Sequence, residues 1–158
     1  MDIWIDTREK SRAIAKIIEY FTAQGINIIS HSLPYGDYMS LDNARRVIDR
    51  KQNLNEVYKN LCHDHKRFIC EVDGARKHGI EMIVLVEHGG YVTSLEKVQG
   101  WHNPQLKTSP YAWDGQRLYR VMVTVAQKYG VKWEFCRKAD TGKRIIELLK
   151  ENEVQHEQ

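Results

Sequence analysis

Three cysteines in 158 residues, Cys62, Cys70 and Cys136, leave the chain without a covalent or metal framework. They form no CxxC and no paired CxH spacing, so neither a disulfide scaffold nor a zinc site is indicated, and they read as reduced thiols. Long apolar runs are also missing. No window approaches the roughly 18 consecutive apolar residues of a membrane span, and the opening MDIWID lacks the basic region of a secretory signal. These absences lead to the expectation of a cytoplasmic protein with no membrane partner. Neither sign of charge is in large excess: a net charge of +3 permits a nucleic-acid partner but does not demand one. No internal repeat is visible. What remains is 42% apolar residues in a chain the size of one domain, enough to bury a core without staples.

The order of hydrophobic patterns sets a fold class. IWID at Ile3 to Asp6 is a short strand signal, followed from about Ser11 by an amphipathic helix that turns Ala13, Ile14, Ile17, Ile18 and Phe21 to one face before Gly25. Ile26 to Leu33 reads as a second strand, and Pro34 and Gly36 break the chain before Asp37 to Leu41. A turn at LDNA returns it as Arg46 to Lys51. Helical spacing then runs from Leu54 to about Lys77, with a break at His63 to His65. MIVLVE, Met82 to Glu87, is continuously apolar at strand length and is expected in the middle of the sheet. A loop rich in Gly, Pro and aromatic residues follows at about 88–113. Asp114 caps a helix bearing Leu118, Val121, Met122, Val125 and Tyr129, Val131 to Cys136 gives another strand, and Ile145 to Leu149 belong to a last helix. The expectation is an α/β fold, a mixed central sheet flanked by helices on both faces, in one domain over residues 1–152 with a frayed tail at 153–158.

The charges in YGDYMSLDNARRVIDRK, Tyr35 to Lys51, carry the functional question. Strand alternation sends Asp49 and Lys51 to one face together with Val47, while Ile48 and Arg50 face the other way, and the hairpin can bring Asp37 beside Asp49. Two close carboxylates repel one another, and a divalent cation between them relieves the repulsion. Mg²⁺ suits such a pair because it takes one or two protein carboxylates and keeps water and phosphate oxygens in the rest of its shell. A neighbouring lysine orients water or neutralises charge on a phosphate in the transition state. A solvated hairpin whose acids and bases pair across strands gives the same local pattern, and a DxK spacing by itself does not separate the two.

IDTRE at Ile5 to Glu9, GDY at Gly36 to Tyr38 and VIDRK at Val47 to Lys51 occur in the order and at spacings similar to those of another group of sequences. In these blocks, and on through MIVLVE and RVMVTVAQKYGVKWEFC, the chain resembles the nuclease domain of the XPF-type, Hef-like structure-specific endonucleases of the PD-(D/E)XK superfamily. The resemblance covers nearly the whole chain. It implies a restriction-endonuclease-like fold and a metal-dependent endonuclease acting on branched, flap or fork DNA, with Mg²⁺ or Mn²⁺ as cofactor. By position it assigns metal ligation to Asp37 and Asp49, a water- or phosphate-positioning role to Lys51, and support of the site to Asp6, Arg8, Glu9 and Arg50. Asp49 stands where the family has a glutamate, and Asn55 where it has an acid. The family's next helix offers a glutamine and an arginine; Glu71 and Arg76 lie near that place, in an undetermined register. Many relatives add a helix-hairpin-helix module, for which 158 residues leave no room, so a free-standing nuclease domain is expected. The resemblance also implies a homodimer paired through the faces of Leu118 to Tyr129 and Ile145 to Leu149, residues that packing on the sheet explains equally well.

Other readings stay open. A member of the same fold can be a catalytically weak DNA-binding or scaffolding subunit, or a resolvase-type or restriction-type nuclease of the same superfamily. His63, Asp64 and His65 could bind a metal or simply break a helix. Lys107, Tyr111 and Trp113 mix cation and ring as a single-strand stacking surface does, or cover the core.

Overall fold

A computed structural model describes residues 1–151; the expected frayed tail at 153–158 lies outside the described residues. Six strands form one mixed sheet in the order β2-β1-β3-β4-β5-β6. They are β1 (Asp2–Ile5), β2 (Asn27–Ser30), β3 (Tyr38–Ser40), β4 (Asn43–Lys51), β5 (Glu81–His88) and β6 (Lys132–Arg137). β1 pairs with β2 in parallel and with β3 antiparallel, β3 and β4 make the antiparallel hairpin, and β4, β5 and β6 run parallel. The helices are α1 (Ala15–Ala23), α2 (Leu54–Cys62), α3 (His65–Lys77), α4 (Gly115–Tyr129) and α5 (Thr141–Lys150).

The period-two rule divides the core. Val47, Met82, Val84 and Val86 meet α2, α3 and α4 through Leu54, Val57, Leu61, Phe68, Val72, Leu118 and Met122 on one face. Ile48, Ile83 and Leu85 meet α1 and α5 through Ile17, Phe21, Ile145 and Leu148 on the other. The expected helices on both faces are therefore present, and the continuous apolar run of β5 follows from burial on both sides. Its place is corrected: β3 and β4 hold the middle, and β5 lies one strand in from the edge because β6 adds beside it. The second strand is shorter than expected, and its residues stay at least partly exposed at the sheet's edge. The first helix starts at Ala15 rather than Ser11, leaving Ala13 exposed.

Local chemistry explains the boundaries. Asn53 caps α2 by accepting from Glu56 N at 2.9 Å, while Glu56 Oε2 accepts from Gln52 N at 2.8 Å, which fixes the path of the chain leaving β4. The helical run breaks at His63 and Asp64 into α2 and α3. Asp114 caps α4 through Arg117 N at 2.8 Å, and Gly130 closes it at φ +71°. The expected loop at 88–113 folds back with two short 3-10 turns, Glu96–Gly100 and Pro104–Lys107, and buries Val92, Val98 and Trp101 in the first core. Gly115 makes that packing possible: a Cβ there would stand 2.5 Å from Val98 O and 2.7 Å from Trp101 O.

Candidate active site

The GDY segment is held by its glycine. Gly36 has φ +70°, and an added Cβ would lie 3.0 Å from Val47 Cβ and 3.1 Å from Ile48 O, so a side chain there would be strained twice over. The turn presents Asp37 at the head of β3, tied by Asp37 N to Ile48 O at 2.7 Å and by Asp6 N to Asp37 O at 2.8 Å. Asp37 Oδ2 accepts from Arg50 N at 2.8 Å. Across the hairpin its carboxyl comes within hydrogen-bonding reach of Asp49. Lys51 extends on the same side, with Nζ 3.1 Å from Asp49 Oδ2.

Electrostatics separates these three groups. Burial, then the charges of Asp49 and Glu9, push the Asp37 carboxyl up to about 9, so near neutral pH it keeps its proton while the pair stands alone. Burial works against the Lys51 ammonium, yet Asp49, Glu56 and Asp37 outweigh it and hold the lysine above its ordinary value. Lys51 is thus a fixed cation. Among the described residues, no three His, Cys, Asp or Glu side chains gather as a ready-made metal cage. A pair of carboxylates with no third acid is the donor set that suits a cation retaining much of its water.

The opposite side of β4 carries a closed network. Arg50 Nε meets Glu9 Oε2 at 2.9 Å and Nη1 meets Glu87 Oε1 at 2.6 Å, and Tyr38 OH donates to the same Glu9 oxygen at 2.8 Å. Burial would weaken the guanidinium, but the bonds to Glu9 and Glu87 hold it above its ordinary value. Glu9 and Arg50 therefore sit behind the acidic pair, touching it through charge and through the Arg50 amide. Asp6 is turned elsewhere: Oδ1 accepts from Leu33 N at 2.9 Å and Oδ2 from Arg8 Nε at 2.7 Å. Burial would raise the Asp6 carboxyl, but Arg8 and the Leu33 and Arg8 amides hold it low. Arg8 itself is largely exposed and close enough to Asp37 and Glu71 to feel their charges.

Helix α3 contributes what spacing along the sequence does not settle. Glu71 Oε1 accepts from Gly36 N at 3.1 Å, bracing the turn before Asp37. Lys51, Asn60, Asp64, Arg67 and Glu71 line a polar groove of about 180 Å³. The spacing of Asp64, Arg67 and Glu71 makes a polar stripe on α3, set off from Phe68, Val72 and Ala75 in the core, and that stripe is the signal in the sequence. Arg76 lies elsewhere, donating to Lys128 O at 2.7 Å. Glu87 carried no signal beyond its place at the end of an apolar strand. Asn55 Oδ1 is buried without a hydrogen-bond partner.

Two other sequence candidates come apart. His63 sits edge-on to Tyr58 and His65 Nδ1 lies 3.1 Å from Leu61 O, so the helix break accounts for both histidines. Trp113 packs on Tyr58 and beneath Arg117, while Tyr111 is 90% exposed.

Residues 5–149 match the ERCC4 domain. The chain belongs to the ERCC4 domain family. This ERCC4 domain also resembles solved structures of XPF from Aeropyrum pernix, one at TM-score 0.65 and 20% identity over 95% of the chain. A second, XPF from Aeropyrum pernix in complex with DNA, matches at TM-score 0.63 and 18% identity over 94% of it. The chain spans 64% and 63% of those two proteins. No curated protein matches its sequence. The XPF-type nuclease-domain fold expected from IDTRE, GDY and VIDRK is the fold of this chain. Among the described residues, no helix is long and apolar enough to cross a membrane.

Proposed function

We propose that this ERCC4 domain is a divalent-metal-dependent DNA endonuclease that hydrolyses phosphodiester bonds in branched, flap or fork DNA. The observation that carries the reading is Asp37 beside Asp49, with the Lys51 ammonium 3.1 Å from the Asp49 carboxylate and Lys51 itself lining a polar groove. Family membership supports it, as does the likeness to an XPF structure solved with DNA.

Asp37 and Asp49 would hold Mg²⁺ or Mn²⁺, which would relieve the repulsion that adds to burial in raising the Asp37 carboxyl. When bound, the ion supplies Lewis-acid activation of the phosphate and of water. The rest falls to the chain's own groups. Lys51, held as a cation, orients the phosphate and neutralises the charge that grows on its oxygens. Arg67 widens the positive side of the groove, and Glu71 steadies the Gly36 turn so that Asp37 stays in place. Arg50, with Glu9 and Glu87, fixes the strand that carries Asp49 and Lys51. DNA is held through its phosphates and backbone shape.

The test is cleavage of flap and fork DNA with Mn²⁺ by the wild type, Lys51→Ala and Asp49→Asn, with circular dichroism as the folding control. Both variants are expected to lose activity, and cleavage unchanged in both sinks the assignment. A scaffolding or DNA-binding role is a second reading, favoured by Asn55, whose carbonyl stands unpartnered where relatives carry an acid. It predicts binding to forked DNA with no cleavage in any divalent cation. Resolvase-type or restriction-type activity predicts symmetric cutting of four-way junctions or site-specific cutting of plain duplex.

Homodimerisation is part of the same proposal. Ile145, Ile146, Leu148 and Leu149 of α5 are spent in this chain's own core, whereas Val121 and Tyr129 of α4 face a groove shared with Ile69 of α3. The α4 side is the surface left for pairing, and sedimentation of Val121→Glu against the wild type tests it.

A further inference from the structure

We infer that a cleft next to the acidic pair takes one unstacked base of the DNA strand whose phosphate lies at Asp49 and Lys51. The inference rests on the proposed action on DNA and adds to it a subsite for the strand. The cleft has a volume of about 300 Å³ and opens where β4, β5 and β6 end. That volume lies at the small end of ligand clefts, which span roughly 300–1,000 Å³, and suits one planar ring system.

Its walls have the chemistry of a base. Leu54, Val92 and Trp101 give apolar sides, and Tyr91, 59% exposed, stands at the mouth with its hydroxyl 3.5 Å from His102 N. An exposed ring beside an apolar slot is a stacking platform for any base. Gln52, also exposed, carries an amide that can both donate to and accept from a base edge. Glu87 lies in the floor, but its charge is already engaged by Arg50 at 2.6 Å, so the floor does not repel DNA. Lys138 lines the cleft. Its ammonium supplies a cation for a neighbouring phosphate.

Position links the cleft to the chemistry. Gln52 and Asn53, which line it, are the two residues after Lys51. Two residues span at most about 7 Å of chain, so the bend at Gln52 and Asn53 keeps the cleft within about two base steps of 3.4 Å from Lys51. A base drawn out of its stack close to the scissile phosphate can reach the slot without the strand leaving the groove. Such a base is available in a single strand, a flap or the branch point of a fork, and must be pulled from an intact duplex at a cost.

The experiment measures binding of forked and single-stranded oligonucleotides in EDTA, where no cleavage interferes, with an abasic residue moved one position at a time along the strand. Wild-type protein is expected to lose about tenfold in affinity at one position, the effect of one lost stack. Tyr91→Ala is expected to lose a similar factor on the intact strand and nothing further at that position. Its melting temperature should match the wild type, because the ring is mostly in solvent. A 2-aminopurine placed at the sensitive position should be quenched by the wild type and much less by Tyr91→Ala. A flat abasic scan, or a Tyr91→Ala loss that is independent of the abasic position, overturns the base slot even if cleavage depends on Lys51. Position-specific coupling without any Lys51-dependent cleavage would keep the slot and remove the nuclease reading. Absence of DNA binding overturns both.

Discussion

Asp49 and Arg50 are neighbours on β4, both buried and both ion-paired, yet they stand in opposite situations. Arg50 holds two carboxylates, Glu9 at 2.9 Å and Glu87 at 2.6 Å, and the Tyr38 hydroxyl donates to the same Glu9 oxygen at 2.8 Å, so each group in that cluster has a hydrogen-bond partner. Asp49 faces Lys51 at 3.1 Å and a second carboxylate, Asp37, which burial and then the charges of Asp49 and Glu9 keep protonated up to about 9. One side of the strand is satisfied and the other is held in electrostatic conflict. A cluster whose groups all have hydrogen-bond partners fixes geometry, whereas two carboxylates held together against their charge are where a bound cation would lower the energy under the proposed function.

That contrast breaks if the two sides respond alike to mutation. Asp49→Asn is expected to reduce cleavage of fork DNA by a factor of at least about 10² while leaving the melting temperature unchanged or raised; loss of stability comparable with loss of activity would erase the distinction. Arg50→Met should do the reverse first: stranding Glu9 and Glu87 costs about 3–5 kcal/mol, read as a fall in melting temperature on the order of 10 °C for a chain of this size. A fall of only a degree or two would mean that the network is ornamental.

The acid pair can be sharpened by pH. The unfolded chain releases the Asp37 proton near 3.8, and the folded chain keeps it to about 9. Between these values the folded state binds more protons, so this group's contribution to stability is full below about 4, declines as pH rises through the window and is gone above about 9. In EDTA, Asp37→Asn should therefore gain melting temperature relative to the wild type as pH rises from 5 to 9, by on the order of 10 °C. A constant difference across that range would place the raised carboxyl elsewhere. The smallest effect is on the cation itself. Mn²⁺ must displace the Asp37 proton, so its stabilisation of the wild type should grow from pH 6 to 8.5, by up to about tenfold in affinity per pH unit, and be absent in Asp49→Asn. Thermal shift at fixed Mn²⁺ reads it.

Much of this arrangement was legible in the sequence because it rests on short-range rules. Period-two alternation alone separates Asp49 and Lys51 from Ile48 and Arg50, and a turn of a few residues brings Asp37 back beside Asp49. The helix cap at Asp114 is equally local. Long-range packing was not legible. Glu71 reaches Gly36 across 35 residues, and Glu87 reaches Arg50 across 37; neither pairing has a spacing rule, since each depends on how α3 and β5 dock on the hairpin. The glycines and prolines of the loop at 88–113 mark its turns but do not reveal that Val98 and Trp101 fold back into the core. MIVLVE was read as central because burial on both faces signals covering helices, not position along the sheet.

Gly115 joins two parts of the molecule that are otherwise separate in purpose. With no side chain at that point, the first turn of α4 rests backbone to backbone on Val98 and Trp101. Nothing soft lies between the helix and the wall of the cleft. Even a methyl group at Gly115 would have to lever the start of α4 off Trp101, and with it the wall of the cleft.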